Sequence, residues 1–114
     1  SSPEMFLQKA YQFYQQRVSQ PGNLWRAQKN IEKALEIWTI QGIKFPVQVK
    51  ELQKAIAKGL DDLTFEKLAQ ARGALSTGDP ENAKWVMRSL LSEFVDPQDP
   101  RRRDIEQKWW EMNQ

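Results

Sequence analysis

The 114-residue sequence contains neither cysteine nor histidine. The first absence excludes disulfide bonds and thiolate chemistry, and the second removes the commonest general base and the commonest metal ligand. We therefore expect no metal and no cofactor. No apolar run approaches the roughly 20 residues that span a bilayer, and Ser1-Ser2-Pro3 does not resemble a signal peptide. We interpret the chain as a cytoplasmic domain excised from a longer protein, although the lack of cysteine does not by itself identify the compartment.

Catalytic and nucleotide-binding motifs are missing as well. The adjacent carboxylates Asp61 and Asp62 point in different directions on a helix, so capping explains them better than acid–base catalysis does. The five glycines are isolated, so there is no Gly-rich phosphate loop. The sequence therefore predicts a protein that is not an enzyme and has no small-molecule substrate.

The composition is that of a folded domain. Hydrophobic residues make up 39% of the chain and charged residues 28%, and five Trp, five Phe and two Tyr are too many aromatics for a disordered tail. The length suits a single domain, residues 1–114. The 17 basic and 15 acidic residues leave a net charge of +2, which gives only weak long-range attraction for nucleic acid or anionic lipid.

Apolar residues recur at helical spacing along the chain, and no segment shows the period-two alternation of a strand. The pattern predicts an all-α fold of six helices in antiparallel hairpins. The first three helices cover residues 3–19, 24–40 and 46–59. The fourth, capped by Asp61, Asp62 or Thr64, ends at residue 76 and carries Phe65 on or beside its inner face. The last two cover residues 80–94 and 101–112.

A turn between two helices is predicted at Gly78. This glycine can end a helix in the left-handed conformation, Asp79 can cap the next helix, and Pro80 suits its first position. Ala83 then supplies the small side chain that closely crossing helices need. The same spacing occurs 56 residues earlier, which pairs Gly22 with Gly78, Ala27 with Ala83, Ile31 with Met87, Ala34 with Leu90, Leu35 with Leu91 and Trp38 with Phe94.

This internal repeat resembles the tetratricopeptide repeat, a helical hairpin with a turn glycine and a small alanine on its second helix. The resemblance covers about two thirds of the chain. Tyr11, Gln15, Leu68 and Arg72 stand where the family carries Trp and Gly on its first helix, and the offset of 56 exceeds the family's period of about 34 residues. The alternative is an unrelated helical bundle, in which Gly and Ala recur because tight hairpins need them.

The resemblance implies an adaptor that docks a peptide or a protein surface in a groove formed by the first helix of each hairpin. Carried onto this sequence, the groove-facing candidates are Lys9, Gln12, Phe13, Gln16, Glu66, Ala69, Gln70 and Gly73. Gly73 lies inside a predicted helix, where close internal packing of another helix is the preferred explanation for a glycine and a partner crossing there is the alternative. A structural spacer without a ligand of its own is a further alternative.

A second candidate surface lies near the end of the sequence. Arg101, Arg102 and Arg103, followed by Trp110, are residue types that bind anionic membrane or single-stranded nucleic acid. The competing interpretation is a helix that caps the last hairpin, with the arginines and Trp110 in solvent. In that case the apolar stripe Ile105, Trp109 and Met112 covers the hairpin, and Trp109 is largely buried.

The other tryptophans also divide by position. Trp38 lies on the inner stripe of its helix and is predicted to be core. Trp25 and Trp85 each lie two residues from a small alanine, and we predict that they are semi-exposed, either as partner anchors or partly buried between helices.

Overall fold

The structure, a computed structural model, describes residues 2–114. These residues form five α-helices and no strand. The helices are α1, Pro3–Gln15; α2, Asn23–Gln41; α3, Val47–Ser76; α4, Pro80–Ser92; and α5, Pro100–Met112. The predicted all-α fold is confirmed. The chain divides into two compact units, one that ends at Leu60 and one that begins at Asp61, and α3 belongs to both.

The predicted break between a third and a fourth helix is absent, because α3 is continuous over 30 residues. The described residues therefore form five helices where six were predicted. Asp61, Asp62 and Thr64 are good capping residues, but inside a helix each costs at most about 0.7 kcal/mol relative to Ala. No proline follows them to prevent the helix from continuing. Capping residues permit a helix start without enforcing one.

The first unit is built on the hairpin of α1 and α2. The first part of α3 adds to its core, and Leu24 of α2 packs against Gly59 of α3. The predicted burial of Ala27 and Trp38 is confirmed. The buried apolar side chains of this unit are Ala10, Leu24, Ala27, Ile31, Ala34, Trp38, Val49, Leu52, Ile56 and Leu60.

Glycines form the turns of the first unit. Gly22 and Gly42 both have left-handed backbones, with φ of 88° and 69°, which side chains other than glycine rarely adopt. The buried Asn23 side chain donates to the Gln16 carbonyl at 2.7 Å, which ties the start of α2 to the end of α1. Helix α1 itself ends at Gln15, four residues before its predicted end.

The second unit contains the rest of α3 with α4 and α5. Its turn has the predicted chemistry: Gly78 has φ of 78°, the Asp79 side chain accepts from the Asn82 N–H at 3.1 Å, and Pro80 opens α4. The predicted burial of Ala83 is confirmed. The buried apolar side chains of this unit are Leu68, Ala71, Ala74, Ala83, Val86, Met87, Leu90, Phe94 and Ile105.

Helix α5 begins where the Asp99 side chain accepts from the Arg101 N–H at 2.8 Å. Ile105 is fully buried, whereas Trp109 is only half-buried, less than the sequence predicts for a capping stripe. Trp110 is exposed, as predicted. The apolar contribution of α5 to the core therefore centres on Ile105.

Candidate protein interface

An apolar stripe lies in solvent on the second half of α3. Phe65 is 74% exposed, and Ala69 and Gly73 follow it at four-residue intervals, so the three residues share one face of the helix. We call Phe65, Ala69 and Gly73 the α3 stripe. The prediction that placed Phe65 on or beside the inner face is wrong. The small side chains of this face leave the helix backbone open to close approach, next to a large exposed aromatic.

Gly73 is not explained by the packing of the fold. A Cβ built on it would have no atom within 4 Å, so the prediction that another helix packs closely there is wrong. Inside a helix, glycine costs about 1 kcal/mol relative to alanine. The chain bears this cost at an exposed position, where no contact within the structure requires it.

A cleft of about 400 Å³ adjoins the α3 stripe at Phe65. Its apolar lining includes the buried side chains of Leu68 and Ile105. Charged groups of both signs surround them, and the Lys108 ammonium pairs with the Asp104 carboxylate. We call this the α3–α5 cleft; its lining residues are Asp61, Thr64, Phe65, Leu68, Arg72, Arg101, Asp104, Ile105 and Lys108. An apolar centre with a polar rim is typical of protein–protein contact sites.

The candidates carried over from the repeat resemblance lie in two places. Lys9 and Gln12 on α1 are exposed, as is its C-cap residue Gln16, and Phe13 is half-buried. Met5, Gln8, Lys9 and Gln12 line a smaller cleft of about 190 Å³. On α3, Glu66, Ala69, Gln70 and Gly73 are all exposed. The α1 set belongs to the first unit and the α3 set to the second, so each forms a surface on its own helix.

The three consecutive arginines of α5 have different surroundings. Arg102 Nη1 donates to the main-chain carbonyls of Leu91 and Phe94 at 2.8 and 2.7 Å, and its Nε lies 3.5 Å from Glu106 Oε1. The expectation that this arginine stays in solvent is therefore wrong. Its charge satisfies carbonyls at the C-terminal end of α4, where cations are favoured.

The neighbours of Arg102 point elsewhere. Arg101 lines the α3–α5 cleft, and Arg103 is exposed. Successive residues lie about 100° apart around a helix, so Arg103 is on the same side as Trp110, seven residues later. The triplet does not form one basic patch, because the side chain in its middle contacts α4. This arrangement supplies few cations to any single anionic ligand.

The other exposed tryptophan stands apart from the cleft. Trp85 is 64% exposed on α4 and does not line the α3–α5 cleft. Trp25 is half-buried, with the Lys29 ammonium 5.1 Å from its ring centroid. The prediction of semi-exposed side chains therefore holds for Trp25, and Trp85 is more exposed than predicted.

Within residues 2–114, no group of three or more acidic side chains is placed to hold a metal ion. None of the helices in that range combines the length and the apolar character needed to cross a bilayer.

Comparison with protein-family models, with curated proteins and with solved structures gave no match to this chain. The resemblance to the tetratricopeptide repeat therefore rests on the residues that carry it and stays a prediction.

Proposed function

We propose that the chain is a protein-interaction module that docks a peptide or a protein surface through the α3 stripe and the α3–α5 cleft. The observation that carries the proposal is the exposure of Phe65 beside a cleft whose lining includes two core side chains. Burial of such an aromatic contributes about 1.5–3 kcal/mol. Aromatic anchors next to a pocket are the usual centre of a binding interface.

The small residues of the α3 stripe support the same proposal. Without large side chains at Ala69 and Gly73, a partner's backbone can approach α3 closely, and Phe65 then lies at the end of that contact. The charges around the cleft, from Asp61 and Arg72 on α3, provide polar contacts at its edge. A partner segment with apolar and charged residues of both signs suits this surface.

A divergent repeat architecture is part of the proposal. The two hairpin turns share their glycine and the buried alanine five residues later, Ala27 and Ala83. A single adaptor domain, cytoplasmic and part of a larger assembly, is the form we propose for it. Its location is tested by imaging a fluorescent fusion of the chain.

The direct test selects peptides from a random library displayed on phage against the wild-type chain. The affinity of each selected peptide is then measured for Phe65→Ala and for the matched control Trp85→Ala, which also removes an exposed aromatic. We expect Phe65→Ala to weaken binding at least about tenfold and Trp85→Ala to leave it unchanged. Equal losses in both variants, or none in Phe65→Ala, contradict the proposal.

The same peptides test whether the interface lies on α1 or on α3. Gln12→Ala combined with Gln16→Ala removes two exposed polar side chains, one from the last turn of α1 and one from its C-cap. If the interface lies on α3, this double variant binds like the wild type. Loss of binding in it, with Phe65→Ala unaffected, places the interface on α1 instead.

A further inference from the structure

The loop between α2 and α3 holds two aliphatic side chains in the open. Ile43 is 54% exposed, and Val47, the first residue of α3, is 65% exposed. The main chain nevertheless orders this loop, because Gly42 is left-handed and the Ile43 N–H donates to the Trp38 carbonyl at 3.0 Å. The two aliphatic side chains therefore extend from a fixed scaffold.

Two lysines lie beside these aliphatic side chains. Lys50 Nζ is 5.9 Å from the centroid of the ring of Phe45, a half-buried residue of the same loop. Lys44, Phe45, Val47 and Lys50 together line a cleft of about 350 Å³. We call Ile43, Lys44, Val47 and Lys50 the loop patch. Val47 and the two lysines thus line one cleft of the first unit, and Ile43 directly precedes Lys44 in the same loop.

The charge of the loop patch has one sign. Residues 37–50 include no Asp or Glu, and no carboxylate is among the described residues that line the cleft. Glu51, the next acidic residue, follows Val47 by four residues in α3, so one carboxylate borders the patch. Lys54, by contrast, follows Lys50 by four residues on the same face. A ligand for this patch has to be anionic and has to accept exposed aliphatic side chains.

We propose that the loop patch binds the surface of an anionic phospholipid bilayer. The two aliphatic side chains enter the interfacial layer, and the two ammonium groups lie beside the lipid phosphates. Lysine suits this position because its long stem contacts apolar groups while its charge stays at the headgroups. An acidic protein fits less well, because carboxylates are recognised best by the planar donors of arginine, and the patch contains only lysine.

The test is co-sedimentation of the full chain with lipid vesicles. The wild type should bind vesicles that contain phosphatidylserine and not vesicles of phosphatidylcholine alone, and binding should weaken as salt is added. Lys44→Gln plus Lys50→Gln should lower the partition coefficient about 20-fold. Ile43→Ser plus Val47→Ser should lower it about tenfold. All four side chains are exposed, so the far-UV circular dichroism and the melting temperature should not change.

A matched control separates the patch from net charge. Lys29→Gln plus Lys84→Gln removes the same charge from α2 and α4 and should leave the partition coefficient nearly unchanged. Equal losses in the two lysine pairs, or no binding of the wild type to phosphatidylserine vesicles, overturn the proposal. So does binding of soluble phosphoserine that survives Ile43→Ser plus Val47→Ser, since the patch is then an anion site. Tight binding of a glutamate-rich peptide without vesicle binding makes it a protein site and also overturns the proposal.

Discussion

Leu24 occupies the space that a side chain on Gly59 would need. A Cβ built on Gly59 would lie 3.1 Å from Leu24 Cδ2 and 3.3 Å from Leu24 Cδ1, closer than ordinary van der Waals contact. Gly73, in the same helix, has no atom within 4 Å of the corresponding position. The two glycines in the interior of α3 therefore have different surroundings: Leu24 packs tightly against the first, and no atom of the described residues is near the second.

This difference predicts opposite effects on stability. Gly59→Val should lower the free energy of unfolding by about 1–3 kcal/mol, because the new side chain overpacks against Leu24. Gly73→Ala should raise it by about 0.5–1 kcal/mol, because alanine favours the helix and meets no neighbour. Urea denaturation of the two variants measures both changes. Changes of the same sign contradict this account of the two glycines.

A larger residue at Gly73 separates stability from binding. Gly73→Leu should leave the free energy of unfolding unchanged or higher, since the position is open. The same variant should lower the affinity for the library-selected peptides about tenfold, because leucine blocks the close approach of a partner to the α3 stripe. Ser92→Leu, at an exposed position of α4, serves as the control and should not affect binding. Full affinity in Gly73→Leu would mean that the α3 stripe is not part of the interface.

Much of the fold is predictable from the sequence because glycine and proline punctuate it. Gly42 and Gly78 adopt the left-handed backbone that suits the end of a helix, and Gly22 adopts it at the N-cap of α2. The continuity of α3 is not predictable in this way. Asp61 and Asp62 are compatible with a cap and with a helix interior, so local preference does not decide between them.

The candidate site is harder to predict, since its residues depend on tertiary packing. Phe65 lies only about 60° around α3 from the buried Leu68, and apolar spacing alone assigns both to one face. Which of them is covered depends on where α4 and α5 pack. The same holds for Arg102, whose sequence neighbours suggest a basic surface. Its guanidinium instead donates to the carbonyls of Leu91, in the last turn of α4, and of Phe94, just after that helix.

The alanine of the second hairpin gives a stability test. Ala83 is fully buried, so Ala83→Leu should lower the free energy of unfolding by about 1–3 kcal/mol through overpacking. Ala69→Leu makes the same change at an exposed position and should alter stability by less than about 0.5 kcal/mol. Thermal unfolding of the two variants provides the comparison. A neutral Ala83→Leu contradicts close packing at this alanine.

Arg102 should contribute to stability where its neighbour does not. Its charged donors bind two carbonyls at the end of α4, and hydrogen bonds from charged groups contribute about 1.5–3 kcal/mol. Arg102→Gln should therefore lower the free energy of unfolding by an amount of this order, whereas Arg103→Gln should change it by less than about 0.5 kcal/mol. Equal effects in urea denaturation would mean that the contact with α4 adds nothing to stability.

The same contact limits how the end of the chain can bind nucleic acid. Each phosphate neutralised on a single strand contributes about −0.7 to the slope of log affinity against log salt concentration. Arg103→Gln should reduce the steepness of that slope for an oligo-dT strand by about this amount, because its exposed side chain is placed to reach phosphate. Arg102→Gln should leave the slope unchanged, since its guanidinium already binds the carbonyls of Leu91 and Phe94. Fluorescence anisotropy at increasing salt measures both slopes. Equal reductions would show that Arg102 leaves α4 to bind the strand, and no binding even at low salt would contradict a nucleic-acid role for this segment.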